Sequence, residues 1–169
     1  MLRQFLARRR VALGFVFGVA VVYLADPTWR SLLIGASMAL VGQAVRLWAA
    51  GHLEKSREVT TSGPYQFARH PLYVGSSIMA LGVAVGCRSA AVAVIVGLYM
   101  ATTITAAIRS EEAFLRERFG DAYDTYARSR GPGVSRRFSW ARAWRNKEYR
   151  SVTGLILFLT VLAGLAFWR

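Results

Sequence analysis

LYVGSSIMALGVAVGC (Leu72–Cys87), RS (Arg88–Ser89) and AAVAVIVGLYMATTITAAI (Ala90–Ile108) follow one another without interruption. Neither apolar run carries a charge, and two residues are all that separates them. A helix of about 20 apolar residues spans the hydrocarbon of a bilayer, with roughly 17 as a lower limit. Two such runs joined so tightly predict a helical hairpin that crosses a membrane twice, because only structures that satisfy their own backbone survive in lipid.

Three further runs flank the hairpin. Val11–Ala25 and Ser31–Ala50 precede it, the second carrying the single charge Arg46, and Val152–Trp168 follows it. The expected fold is all-α: a polytopic membrane helical bundle of about five spans (about 11–25, 31–50, 72–87, 90–108 and 152–168) forming one domain over 1–169. Gly35, Ser37, Gly42, Gly75, Ser76, Ser77, Gly82 and Gly86 are the small residues that let membrane helices approach closely. A cleaved leader is the alternative reading of the first run. Tyr23, three positions before the end of its apolar core, fits a small-residue cleavage site poorly.

The formal net charge is +13, which by itself suggests nucleic acid. The position of the charges excludes it. Lys and Arg crowd between the runs, and no soluble body remains to carry a basic binding face. Arg3, Arg8, Arg9 and Arg10 precede the first span, Lys55, Arg57 and Arg69 follow the second, and eleven more lie from Arg109 to Arg150. The opposite side receives only Arg30, Arg88 and Arg169. This asymmetry predicts an integral protein of a bacterial-type inner (plasma) membrane, with its N-terminus cytoplasmic and its C-terminus outside. The single cysteine, Cys87, and the two histidines, His52 and His70, are too few for a structural metal cluster, so no metal is expected. No obligate protein partner is evident.

The polar residues concentrate on the cytoplasmic face, in segments 52–73 and 109–135. The hairpin makes the start of one span and the end of the next neighbours, so His70-Pro71-Leu72-Tyr73 should lie beside Arg109-Ser110-Glu111-Glu112. Gly63-Pro64 and His70-Pro71 are two rigid turns that fix the strip between them, unless they are only loop punctuation. One of the carboxylates Glu111 and Glu112 can pair with Arg116 on the helix surface. Glu111 shares a stripe with Leu115 and Ala122 that faces the bundle, and needs a cation there: Arg69 or a cofactor. Gly120 and Asp121 read as a helix stop and a new N-cap. Tyr123 and Tyr126 then share one face, either as packing or as a pocket wall.

Taken together, these residues resemble the isoprenylcysteine carboxyl methyltransferase and phospholipid methyltransferase family over roughly residues 46 to 135. The resemblance is carried by Arg46-Leu47-Trp48-Ala49, Thr61-Ser62-Gly63-Pro64-Tyr65 and Arg69-His70-Pro71-Leu72-Tyr73-Val74-Gly75. Glu111-Glu112, Leu115, Phe119-Gly120, Tyr123 and Tyr126 follow in order. It implies a cytoplasmic-face pocket for S-adenosyl-L-methionine using Arg57, Glu58, Val59, Thr60, Tyr65, His70, Pro71, Leu72, Tyr73 and Glu111. It implies a lipophilic small-molecule or lipid acceptor that enters from the bilayer. The arginine that prenylcysteine enzymes carry a turn before the first Glu is Ala107 here, with Arg46 and Arg109 as substitutes for holding the substrate. The family's Arg-Val-Pro ending is also altered, to Ser129-Arg130-Gly131-Pro132-Gly133-Val134.

Displacement at a sulfonium needs mainly positioning and exclusion of water. A carboxylate or thiolate acceptor needs no base, whereas an amine must lose a proton, with His70 and Glu111 as the catalytic candidates. The rival readings are an NADPH-dependent membrane reductase of the sterol-reductase type and a non-catalytic protein that binds lipid or a partner. The basic stretch 136–150, with Trp140 and Trp144 interleaved, reads as an interfacial segment on anionic membrane lipids.

Overall fold

The computed structural model describes residues 17–54, 60–120 and 135–168. Their helices are α1 (17–24), α2 (Trp29–His52), α3 (Pro71–Cys87), α4 (Ala90–Phe119), α5 (Trp140–Arg145) and α6 (Glu148–Trp168), with a 3-10 turn over Gly63–Gln66. No strand occurs among the described residues. The chain is an all-α membrane bundle. α2, α4 and α6 are each long and apolar enough to cross a bilayer, and α3, at 17 residues, is shorter and sits at the lower limit. Of the first expected span, residues 11–16 lie outside the described part.

Local chemistry sets the helix ends. Thr28 and Ser31 form a reciprocal capping box that starts α2, with Ser31 N donating to Thr28 Oγ1 (3.2 Å) and Thr28 N donating to Ser31 Oγ (2.9 Å). Pro71 opens α3, where its missing N–H costs nothing. Arg88 ends α3 in the left-handed conformation, and Ser89 caps α4 by accepting from Val92 N. The hairpin connection is therefore the two residues that separate the apolar runs. Arg88 also ties this turn to the α1–α2 turn, donating to the Asp26 carbonyl (3.0 Å) and carboxylate (2.5 Å).

The main packing is α2 against α3. Gly35, Ala39 and Gly42 on α2 face Gly86, Gly82 and Gly75 on α3, and the two backbones touch. A Cβ on Gly42 would lie 2.5 Å from Met79 N and 2.6 Å from the Gly75 carbonyl oxygen. Backbone contact of this kind is the membrane substitute for a hydrophobic seam, since lipid tails are as apolar as leucine. α6 also packs against α2.

α4 behaves differently. Few residues of its apolar window are fully buried in protein, so the face left open suits lipid. Its 30 residues make about 45 Å of helix, against roughly 30 Å of hydrocarbon. Its last three turns, carrying Glu111 and Glu112, must project past the bilayer core. The apolar run ends at Ile108, but the helix continues because Glu, Arg, Leu and Ala are good helix formers. Gly120, at φ +47°, stops it.

The basic stretch has two faces. Trp140 and Trp144 are both 69% exposed, as an interfacial anchor requires. Polar groups around them cap the end of α2. Ser139 N and Arg142 Nε donate to the Gly51 carbonyl at 3.0 and 2.9 Å, and Asn146 Nδ2 donates to the Ala50 and Leu53 carbonyls, both at 2.9 Å. Arg145 pairs with Glu54 at 2.7 Å. A helix C-terminus has unpaired carbonyls and a partial negative charge, and arginine answers both.

Candidate functional site

His52 sits at the end of α2 and organises the strip that follows. Its Nδ1 is 2.9 Å from the Trp48 carbonyl oxygen, and its ring lies against Trp48 and Phe138. Gly63 rests on that ring at φ +60°, and a Cβ there would stand 2.7 Å from His52 Cε1 and Nδ1. Only glycine meets both demands. The Gly-Pro pair is thus more than punctuation: it presses Ser62, Pro64 and Tyr65 into the protein, where all three are buried. Thr60 and Ser62 are 4% and 2% exposed, and their hydroxyl oxygens have no hydrogen-bond partner among the described residues. A buried hydroxyl without a partner is costly; two adjacent ones mark a place that a polar ligand can satisfy.

From there the chain reaches α3. His70 occupies the N-cap position, and its carbonyl accepts from Tyr73 N (3.0 Å) and Val74 N (3.2 Å). Its imidazole, with a side chain 15% exposed, lies between two carboxylates of α4, Glu111 and Glu112. Nδ1 is 3.7 Å from Glu111 Oε2, and Nε2 is 3.4 Å from Glu112 Oε1. Tyr73 stacks obliquely beside His70, with ring centroids 5.8 Å apart, and its hydroxyl is within reach of Glu111. Glu112 also pairs with Arg116 one turn on, at 3.4 Å. The hairpin therefore brings together the two halves that its sequence predicts. The His70 ring meets Glu111 because α3 begins at Pro71 and fixes the ring of the residue before it against α4.

The geometry separates the roles of the two acids. Glu112, with a side chain 24% exposed, is shared by His70 and Arg116. Glu111 is 40% exposed, with a long contact to His70 and the Tyr73 hydroxyl within reach, so it has capacity left for a cationic ligand. The carboxylates take opposite nitrogens of one ring, so they do not converge on a single point. Among the described residues, no group of three or more His, Cys, Asp or Glu is placed to hold a metal ion.

The other expected residues fall as follows. Pro71 is buried, Leu72 is half-buried beside the site, and Arg109 is exposed. Arg57, Glu58, Val59, Tyr123 and Tyr126 lie outside the described residues. Arg46 is held elsewhere: its Nε and Nη2 donate to the Glu148 carboxylate at 2.7 and 3.1 Å, and its Nη1 donates to Ser76 Oγ. Gln43 donates to the same carboxylate (3.2 Å) and accepts from Ser151 (2.8 Å). Sequence reasoning missed Glu148. The signal was present, since Arg46 is the one charge inside its span and Glu148 the one acid in the basic stretch that enters the last span.

A wholly apolar crevice of about 170 Å³ opens between the helices farther along the hairpin. Phe17 and Val21 of α1, Val83 of α3, Ile95 and Tyr99 of α4 and Phe158 of α6 line it.

A family model described as phospholipid methyltransferase matches residues 29–122, more than half of the chain, and takes in α2, α3, α4 and the strip between them. A nickel-cobalt-cadmium resistance protein of Alcaligenes xylosoxydans xylosoxydans is 37% identical over 158 residues, covering 84% of this chain and 71% of the relative. A cobalt-zinc-cadmium resistance protein of Cupriavidus metallidurans is 35% identical over 159 residues (83% and 70%). A protein-S-isoprenylcysteine O-methyltransferase of Schizosaccharomyces pombe is 30% identical over 102 residues (60% and 43%). No solved structure matches the chain significantly.

Proposed function

The chain belongs to the phospholipid methyltransferase family of membrane proteins, and from that premise we propose that it transfers the methyl group of S-adenosyl-L-methionine to a lipophilic acceptor at the cytoplasmic face of the membrane. The observation that carries this reading is the half-exposed carboxylate of Glu111, set beside Tyr73 and His70 at the mouth of an apolar hairpin. A ligand with a cationic amino group and an adenine ring fits these residues. Glu111 would hold the cation, Tyr65, Pro71 and Tyr73 offer aromatic and apolar walls, and the spare hydroxyls of Thr60 and Ser62 offer hydrogen bonds.

When bound, the donor supplies an electrophilic methyl group on a sulfonium. The protein's part is placement. The Gly63-Pro64 turn and the Pro71 helix start hold the strip rigid over α3 and α4. The bilayer keeps bulk water from the lower half of the site. His70, poised between two carboxylates, can take a proton from an amine acceptor; a carboxylate or thiolate acceptor leaves it idle. The apolar crevice and the open apolar face of α4 suit an acceptor delivered on a hydrocarbon chain.

The resistance names belong to the relatives, and we place the chemistry of this chain in methyl transfer rather than in holding a metal ion. Glu111 and Glu112 bind opposite edges of His70, which is the wrong arrangement for joint ligation. Calorimetry on the detergent-purified protein tests the donor. Binding of S-adenosyl-L-methionine, weakened in Glu111→Ala, is expected; binding of NADPH instead would replace this reading with a reductase. Incubation with labelled donor and total membrane lipid then identifies the acceptor.

A further inference from the structure

The outer face of segment 135–150 plays no part in the transfer described above. We propose that it is a docking surface for anionic phospholipid headgroups, built from Arg137, Lys147 and Arg150 around the rings of Trp140 and Trp144. All five residues are exposed.

α2 ends at His52, α6 begins at Glu148, and α5 packs against both. Both helices are long and apolar enough to span a bilayer, so α5 sits where two spans leave the hydrocarbon. Tryptophan favours that level, because its ring is apolar and its N–H is polar. The exposed rings of Trp140 and Trp144 are clear to enter it.

Charge selects the headgroup. From Ser135 to Arg150 the one acid is Glu148, which is buried and paired with Arg46. Arg145 is matched by Glu54, and Arg142 is spent on the Gly51 carbonyl. Arg137, Lys147 and Arg150 keep exposed positive charge, which draws anionic lipid in preference to zwitterionic lipid. The surface is also held in shape from beneath. The Phe138 ring lies 6.0 Å from that of His52 and meets Trp140 edge-on at 5.0 Å. Trp144 stacks on Tyr149 at 4.8 Å, and the Arg150 guanidinium lies 5.9 Å from the same tyrosine ring. A surface ordered before it binds loses little conformational freedom on docking. The whole segment lies outside the residues matched by the family model, so the chain adds this surface to the family's common part.

The test reconstitutes the full-length protein in phosphatidylcholine vesicles that carry a minor share of brominated lipid, either phosphatidylglycerol or phosphatidylcholine, and reads tryptophan quenching. Trp140→Phe with Trp144→Phe supplies the background from Trp29, Trp48 and Trp168. Brominated phosphatidylglycerol should quench the two rings as strongly as brominated phosphatidylcholine does at about fivefold its mole fraction, the enrichment that one surface charge supplies. Arg137→Gln, Lys147→Gln and Arg150→Gln together should abolish that preference. Arg137→Lys, Lys147→Arg and Arg150→Lys together keep the charge and should preserve it. Equal quenching by the two lipids, a preference that survives the glutamines, or one lost in the charge-keeping variant each overturns the proposal. So does the absence of quenching by either lipid, which would mean that the segment faces water or a protein partner.

Discussion

Gly42→Ala adds one methyl group where α2 meets α3, and the structure sets its cost. The new Cβ would stand 2.5 Å from Met79 N and 2.6 Å from the Gly75 carbonyl oxygen. Both obstacles are backbone of a packed helix, so no side chain can swing aside. Reaching ordinary contact near 3.5 Å requires the helices to part by about 1 Å, which loosens the whole α2–α3 seam. Overpacking of this kind costs about 1–3 kcal/mol. Gly97→Ala and Gly164→Ala are the controls, since a Cβ at either position meets nothing within 4 Å. There alanine removes only the helix penalty of glycine, a gain of roughly 0.5–1 kcal/mol. The assay is thermal unfolding in one detergent, followed by tryptophan fluorescence and by retention of the monodisperse peak. Gly42→Ala should melt several degrees below the unaltered protein, and the controls at or above it. The close-packed seam is refuted if Gly42→Ala melts with the controls, or if all three fall together.

Gly63→Ala meets two obstacles at once, a left-handed backbone and the His52 ring at 2.7 Å; it should cost about 1–3 kcal/mol and weaken donor binding by displacing Tyr65, both read by melting and calorimetry. Glu111→Ala should reduce S-adenosyl-L-methionine affinity by about tenfold to a hundredfold, while Glu112→Ala should reduce it far less because Glu112 is already shared by His70 and Arg116; isotherms for the pair decide this. Arg88→Ala removes an ion pair with Asp26 that is about half exposed on both sides, so melting should shift by no more than about 1 kcal/mol. His70→Gln should slow transfer to an amine acceptor and leave transfer to a carboxylate acceptor largely intact, a difference that labelled-methyl assays with both acceptor types measure.

Much of this was legible in the chain. Long uncharged runs can do little but span a bilayer, and Arg88-Ser89 is too short a link to do anything but turn. The juxtaposition of His70 with Glu111 and Glu112 follows from that turn and the helical rise alone. The extension of α4 beyond Ile108 was harder to see, because hydropathy falls where helix propensity does not. His70 meets Glu111 because the N-cap position next to Pro71 points at α4.

The sequence by itself determined which apolar runs become helices, the crowding of charge between those runs, and the hairpin that assembles the site. These depend on length, periodicity and local turn chemistry, which neighbouring residues settle among themselves. Tertiary structure alone decided who partners whom across the bundle. Glu148 reaches Arg46 over 102 positions, and α5 caps the end of α2 from 91 positions away at Gly51. Those choices turn on how closely α2 approaches α3 and α6, a distance fixed by backbone contact at Gly35, Gly42, Gly75 and Gly82. A buried charge must find a partner, but only the packed helices determine which one is within 3 Å.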